Sequence, residues 1–354
     1  MATILASDAQ ALFTKSLVDV FKERISPKSF LRSFFRTNTV TTKELSIEVV
    51  RGTEKVAVDV IRGTDGNRNQ WSFATEKLFV PPYFREYFDL TQLQLYDRLF
   101  GAAPGAAVDD RMFIQMLNDS ADKTAQLQEK IERAVELQCA QVFESGIVQL
   151  QQGINIDYKR KASSMYSLGA GNFWASAVNP FNQLQTACEF LRKTGKVQTF
   201  TFDMICGATA IQDLFNNTEF KARQNLFNMS LDNVQQPQAN AVGGVYHGTI
   251  TCGPYRVNIW SYPDFYENAS SVMTAYVNAK KVVLIPAGGQ GAKFVIGYAA
   301  VPQLLKPGQP VKTGQFIISE YMDEKARTHE IHVESAPLAI PTTVDQIVTI
   351  QVVA

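Results

Sequence analysis

From Lys43 the chain alternates. Leu45, Ile47 and Val49 fall between Ser46, Glu48 and Val50, and after Gly52-Thr53 the residues Val56, Val58 and Val60 resume the period of two. That period predicts strand. A glycine-bracketed polar tip follows, Gly63, Thr64, Asp65, Gly66, Asn67, Arg68 and Asn69. A return limb then carries Trp71, Phe73, Leu78 and Val80, and Pro81-Pro82 ends it. The pattern predicts a long two-stranded ribbon. Such a ribbon is marginal alone in water, so it calls for a surface on another element or another chain. Between Gly105 and Gly146 the pattern changes. Residues 106–145 contain neither glycine nor proline, and Phe113, Leu117, Ala121, Thr124, Leu127, Ile131, Ala134, Gln138 and Val142 recur every three or four positions. This predicts one helix of roughly 60 Å. Asp119–Lys123 and Glu129–Arg133 are acid-before-base pairs four apart, suited to an exposed helical face. A single apolar stripe over such a length predicts a beam lying along an extended subunit.

Elsewhere the elements are shorter. Ser7 and Gln10 form a capping box for a helix with Leu12, Phe13, Leu17, Val18 and Phe21 on one stripe, ending before Pro27. Phe30, Leu31, Phe34 and Phe35 then cluster, and two readings are open: a local core, or an N-terminal arm packed on a neighbouring subunit. Residues 83–100 mix Tyr83, Phe84, Tyr87, Phe88, Leu90 and Leu93 without clear period and read as a lead-in to the long helix. After Gly146 come two short strands turning at Gln152-Gly153, then a Ser/Gly/Asn-rich boundary over 160–182 with Trp174 and Asn179-Pro180. A mixed region follows: a helix over Phe181–Lys193, a strand over Val197–Asp203, a helix over Cys206–Phe215 and a strand pair over Val245–Tyr262 broken at Gly253-Pro254. Strand-like Lys281–Pro286 and Phe294–Tyr298 flank a glycine-rich hairpin or loop tip. Strands over Glu330–Glu334 and Gln346–Val353 close the chain, with Ser335–Pro341 between them. The class is α+β.

Composition narrows the function. With 354 residues, 45% hydrophobic and only 19% charged, the chain can build a sizeable core and leaves a charge-poor surface suited to partners. Lys+Arg and Asp+Glu are equal at 34, so no basic excess points to nucleic-acid binding. No apolar run is long enough to span a membrane and no secretory signal opens the chain. Cys139, Cys188, Cys206 and Cys252 are scattered, which favours reduced thiols in a cytoplasmic setting over disulfides. Gly288-Gly289-Gln290-Gly291 lacks the spacing and the following helix of a dinucleotide site. His247, His329 and His332 have no cysteine at zinc-ligand spacing, and His329 and His332 fall on opposite faces of one strand. There is no G-x-S-x-G elbow. Asp109-Asp110 and Asp323-Glu324 read as solvated helix-start or loop charges. Arg51, Arg62 and Arg68 either meet acidic groups on a neighbour or guard the ribbon edge as solvated charges. No catalytic residue, metal site or cofactor is implied.

The order of these features resembles the lambda-type phage major capsid proteins, often called capsid protein E. The resemblance rests on Ser29-Phe-Leu-Arg-Ser-Phe-Phe-Arg36 with Thr41-Thr-Lys-Glu44, the ribbon ending Leu78-Phe-Val-Pro-Pro82, the 106–145 helix and the strand ending Phe202-Asp203. The close, Glu334-Ser-Ala-Pro-Leu338 and then Asp345–Gln351, is also similar. It is weaker between about 205 and 325. It implies an HK97-type capsid fold: an N-terminal arm (1–40), an extended β-ribbon loop (41–85), a peripheral domain with the spine helix (86–160), an axial domain (161–325) and C-terminal strands returning to the peripheral domain (326–354). It implies a non-enzymatic shell protein forming hexamers and pentamers around packaged DNA, which lies inside without sequence-specific binding. Scaffold, portal and decoration or head-completion proteins are the implied partners, with assembly in the host cytoplasm, residence in the virion and no membrane. No scaffold-like region precedes the arm, which implies a separate scaffold or none. The expected intersubunit residues are Arg51, Arg62, Gly63, Thr64, Asp65, Gly66, Asn67, Arg68, Asn69 and Trp71 on the loop, and Phe30, Leu31, Phe34 and Phe35 on the arm. An encapsulin-like compartment shell is one alternative; a soluble oligomeric α/β enzyme is another.

Overall fold

The computed structural model describes residues 27–49, 75–91, 110–150, 155–175, 178–224, 233–288, 294–302, 311–323 and 328–354. The expected capping box and first helix, the ribbon tip and residues 106–109 lie outside this set.

The long helix is present as α1, Asp110–Glu144, 35 residues or about 52 Å. It ends where the glycine was expected to end it. Gly146 adopts φ +69°, and its N–H donates to the Gln141 carbonyl at 3.0 Å, a left-handed cap open to glycine without strain. The buried face is wider than one stripe. Leu127 and Ile131 pack with Val333, Phe84, Phe88 and Phe316. One turn further on, Val135, Cys139, Val142 and Phe143 enter the main core. Glu129 and Arg133 make the expected i,i+4 pair at 3.7 Å.

A seven-stranded sheet forms the largest layer, in the order Met165–Ser167, Val348–Gln351, Lys281–Pro286, Thr201–Cys206, Tyr255–Ser261, Val245–Cys252 and Asn233–Ala239. Its middle strand, Thr201–Cys206, is buried on both faces, which is why it reads as a near-continuous apolar run. One face is covered by α2 (Pro180–Lys193), α3 (Ala208–Asn216) and α4 (Thr218–Gln224), with Leu184, Cys188, Leu191, Leu214 and Phe220 in the interface. α2 starts as its sequence dictates: Asn179 Oδ1 accepts from the Phe181 N–H at 2.9 Å and Pro180 occupies the first turn. The other face meets α1 and the N-terminal segment.

Two three-stranded sheets join this layer to α1. In one, Phe294–Tyr298 lies between Arg36–Thr39, parallel to it, and Pro337–Pro341, antiparallel. In the other, Thr328–Ser335 lies between Ile317–Asp323 and Phe84–Thr91. Several expectations are corrected here. The lead-in over 83–100 contains a strand, Phe84–Thr91. Its Phe84 and Phe88 face α1 while Tyr83 and Tyr87 face outward, so aromatics on both faces mask the period. The strand expected over Val197–Asp203 begins at Thr201 and ends at Cys206. Strands Lys281–Pro286 and Phe294–Tyr298 are not a hairpin; they belong to different sheets. The C-terminal residues do not return as one unit. Thr328–Ser335 pairs beside Phe84–Thr91, whereas Val348–Gln351 enters the seven-stranded sheet between Lys281–Pro286 and Met165–Ser167. Likewise Phe294–Tyr298 and Ile317–Asp323, both inside the 161–325 division, sit in the smaller sheets. The boundary stretch 160–182 is built in as well, since Trp174 is wholly buried.

Candidate assembly surfaces and the joint behind them

The ribbon is present at its base. Leu45–Val49 pairs antiparallel with Thr75–Phe79, Leu45 opposite Phe79 and Val49 opposite Thr75. It is seated by two contacts. Leu45 is buried against Gly297, where a Cβ would lie 2.6 Å from a Leu45 methyl, and Phe79 meets Tyr158 edge to face at 5.3 Å. Beyond that seat Leu78 is 62% exposed and Val80 54%. Tyr83 and Tyr87 continue the exposed apolar positions along the next strand. Arg51, Arg62, Gly63, Thr64, Asp65, Gly66, Asn67, Arg68, Asn69 and Trp71 lie outside the described residues.

The arm residues are placed differently from the intersubunit expectation. Phe30, Leu31 and Phe35 are buried in the subunit's own core, and Phe34 packs against it. Phe30 lies 5.5 Å from Trp260 and 5.4 Å from Tyr262; Phe35 lies 5.1 Å from Phe143 and 5.4 Å from Phe294. The rings of Phe30 and Phe35 fill the joint between α1 and the two sheets, and Phe34 lies half-buried at its edge.

That joint is fastened by polar residues the sequence reading did not single out. Glu136 on α1 is buried, and its two carboxylate oxygens accept from the backbone N–H groups of Leu31 at 2.7 Å and Arg32 at 3.0 Å. Those donors open the 3-10 turn Arg32–Phe34, so a side chain from α1 caps a turn 105 residues away. The two N–H bonds favour the charged carboxylate, but burial opposes them and wins, pushing Glu136 up from 4.5 to about 7. Gln138, two residues on, donates to the Pro337 carbonyl and accepts from the Ala339 N–H. Arg160 is buried and donates to the carbonyls of Phe143, Ser164 and Ile347 and to Thr349 Oγ1, at 2.9 to 3.2 Å. Burial lowers its pKa from 12.5 to about 10. Thr349 Oγ1 donates to the Phe143 carbonyl at 2.7 Å, and Lys281 pairs with Glu144 at 2.6 Å. The last turn of α1 is thereby tied to the seven-stranded sheet. The one sequence cue to Glu136 was its position between Val135 and Cys139, inside the apolar stripe; Arg160 had none, since its acceptors are mostly backbone carbonyls.

On the outer face of the Phe84–Thr91 sheet, Arg85 pairs with Glu334 at 3.2 Å and donates to His332 Nδ1 at 3.1 Å, while His332 Nε2 meets Glu330 at 2.7 Å. Tyr87 stacks over His332 with centroids 4.9 Å apart. His247 contacts Ser261 Oγ at 2.8 Å. Among the described residues no group of three or more His, Cys, Asp or Glu could hold a metal ion, and no helix is long and apolar enough to cross a membrane. The four cysteines are buried free thiols.

The family model for the phage major capsid protein E matches residues 13–352. The chain belongs to the phage major capsid protein E family. Members of this family are structural proteins of a tailed-phage capsid shell, so this capsid E chain is a shell subunit that self-associates and resides in the virion shell, and it is not an enzyme. Solved structures show the same fold. A protein assigned as a prophage capsid protein from E. coli CFT073 aligns at a TM-score of 0.61 and 15% identity, over 98% of this chain and 99% of that one. The capsid of a native GTA particle aligns at 0.50 and 12% identity, over 95% and 94%. An encapsulin from Synechococcus elongatus aligns at 0.45 and 10% identity, over 97% and 95%, too loosely to bear on function. No curated protein matches by sequence.

Proposed function

We propose that this capsid E chain is the major head protein, assembling as hexamers and pentamers into an icosahedral shell that encloses DNA without sequence-specific contacts. Assembly takes place in the host cytoplasm, and a scaffold, a portal and decoration or head-completion proteins are the further partners. The N-terminal arm, expected over 1–40, and the ribbon of 41–85 reach neighbouring subunits, with the buried Phe30, Leu31 and Phe35 holding the arm's end to its own subunit. The α1 region with the Phe84–Thr91 sheet is the peripheral part, and the seven-stranded sheet with its helices is the axial part. The observation that supports this most is the ribbon base. Its two strands pair only with each other among the described strands, and Leu78 and Val80 are exposed beside it. A ribbon so built gains stability from a second surface, and many such modest contacts add through multivalency.

The test is to delete Gly63–Asn69 and compare the purified variant with the parent by negative-stain imaging and light scattering. The parent is expected to form shells or capsomer rings. The variant is expected to keep its circular dichroism and thermal transition but to stay small. Loss of the thermal transition, or unchanged shells, would refute the ribbon's role. A parent that forms only a small discrete oligomer would refute the shell reading itself.

A further inference from the structure

Three large apolar side chains are exposed together on one short hairpin. Its strands, Phe265–Glu267 and Met273–Ala275, pair with each other and with no other described strand. Tyr266 faces inward, 5.0 Å from Tyr276, which lies 5.7 Å from Tyr262 at the foot of the hairpin. The opposite face carries Phe265, Glu267 and Met273. Phe265 is 52% exposed, Met273 54% and Val272, at the tip, 56%. That tip is held in shape by Asn268. Its Oδ1 accepts from the N–H groups of Ser270 and Val272 at 2.9 and 3.0 Å, and its own N–H donates to the Val272 carbonyl at 3.0 Å. A preorganised hairpin loses little freedom on binding. Its charges, Asp264 and Glu267, are both acidic, and residues 263–275 hold no lysine or arginine.

A surface of the opposite character lies elsewhere on the same subunit. Phe200, just before the strand Thr201–Cys206, is 57% exposed. Its ring stacks with Tyr255 at 6.4 Å, and the Arg192 guanidinium lies over it at 4.8 Å. Lys193 and Lys196, both exposed, stand at the end of α2 and in the turn after it, and the exposed Arg256 lies beside Thr201. The nearby carboxylates are already engaged, Glu189 with Lys193 at 2.9 Å and Asp345 with Lys161 at 3.4 Å. The result is an aromatic patch with a basic rim. Aromatic rings and arginine are the side chains enriched at protein interfaces, and the basic rim matches the acidic charges of the hairpin.

The two surfaces belong to opposite ends of one sheet. The strands Thr201–Cys206 and Tyr255–Ser261 run parallel, Arg256 beside Thr201 and Ser261 beside Cys206. Phe200 and Arg256 stand where this pair begins. The hairpin follows where it ends, a six-residue strand or about 20 Å further on. Phe200 sits by α2, whereas Tyr266 packs against the core that holds α1. Complementary surfaces at different places on one molecule meet head to tail between copies, and such contacts close into rings. We propose that the Phe265–Ala275 hairpin of each subunit docks on the Phe200 patch of the next copy around a capsomer. Phe265 and Met273 cover the Phe200 ring, and Glu267 faces Arg256 and Lys196. The contact belongs to the rings of the shell reading above and rests on that reading.

The experiment bridges the two surfaces in the full chain. Met273→Cys with Gln198→Cys is treated with a short bismaleimide after assembly and the products are sized on a denaturing gel; the four native thiols are buried. Each single-cysteine variant is the control. A head-to-tail bridge joins every chain to two others, so the expected product is a ladder reaching whole pentamers or hexamers, with none from either control. Linked dimers from Met273→Cys alone would overturn the proposal in favour of hairpin meeting hairpin, and a double variant that stays unlinked would overturn it outright. Charge reversal tests the chemistry. Glu267→Lys and Arg256→Glu should each lower the yield of rings and shells at least tenfold at an unchanged thermal transition, and the two together should recover most of it. Single variants without effect, or a double variant no better than either, would overturn the contact and leave the shell reading standing. A parent that forms neither rings nor shells would overturn both.

Discussion

Glu136 offers the sharpest test of how the subunit is fastened. The perturbation is Glu136→Gln, with solution pH as the second variable. In the folded protein burial holds the Glu136 proton up to about 7, against an ordinary 4.5. The folded state therefore binds that proton more tightly than the unfolded chain does. The resulting stability is fully present below 4.5, is lost as pH rises toward about 7, and does not change further above it. At about 1.4 kcal/mol per pH unit the displacement is worth roughly 3 kcal/mol, or about 4 °C for a chain of 354 residues. Glutamine cannot titrate. It keeps one acceptor for the Leu31 or Arg32 N–H and turns an amino group toward the other, leaving a buried donor unmet at about 1–3 kcal/mol. Thermal and urea unfolding of unassembled subunits should be measured for both proteins from pH 4.5 to 8. The parent's advantage over the variant is expected to be largest at the acid end and to shrink by about 3 kcal/mol by pH 8. Other titrating groups are common to both and cancel in the difference. A difference that stays constant across this range would refute the reasoning, because Glu136 would then hold one charge state throughout.

Two further predictions concern the far end of the same joint. Arg160→Ala removes four hydrogen bonds, taking the guanidinium from the Ser164 and Ile347 carbonyls while Phe143 keeps Thr349 Oγ1, so it should cost about 2–4 kcal/mol in urea unfolding. Arg160→Lys should recover little of this, since one ammonium cannot span acceptors that a planar guanidinium reaches together. Gly146→Ala forces a side chain onto a backbone at φ +69° and sets its Cβ 2.3 Å from Arg160 Cδ. It should cost more than about 1 kcal/mol, and because the two changes share one contact, the Gly146→Ala with Arg160→Ala double variant should cost less than the sum.

Local signals in the sequence located most elements but not their partners. The 106–145 stretch announced α1 because breakers occur only at its ends, and Asn179-Pro180 announced α2 because a cap and a first-turn proline are local chemistry. Strand pairing is not local. Lys281–Pro286 and Phe294–Tyr298 are similar apolar runs on either side of glycines, which is how a hairpin reads, yet one lies beside Thr201–Cys206 and the other beside Pro337–Pro341. Phe84–Thr91 was missed because Tyr83 and Tyr87 put aromatics on its outer face, where alternation normally shows polar residues. The cluster at Phe30 to Phe35 was visible, but whose surface it filled was not: an aromatic run has the same composition whether it enters its own core or a neighbour's. Glu136 and Arg160 were hidden because their partners are backbone atoms up to 187 residues distant.

The placement of those rings bears on how the ribbon can act. Had Phe30 to Phe35 packed on a neighbour, the ribbon base would rest on a joint completed only by assembly. Instead the subunit fills the joint itself. Leu45 seats the ribbon on Gly297, in the strand that pairs with Arg36–Thr39, and that segment is continuous with the turn held by Glu136. Phe79 seats the other limb on Tyr158, whose hydroxyl donates to the Ala339 carbonyl at 2.7 Å. The Ala339 N–H in turn donates to Gln138 on α1. Both limbs are thus anchored, through short chains of contacts, to the same helix. These contacts run without a break from the ribbon base to α1 and, through Arg160 and the Lys281–Glu144 pair, to the seven-stranded sheet. A contact made at the exposed Leu78 and Val80 therefore meets a subunit whose joint is already packed, not one still to be completed by a neighbour.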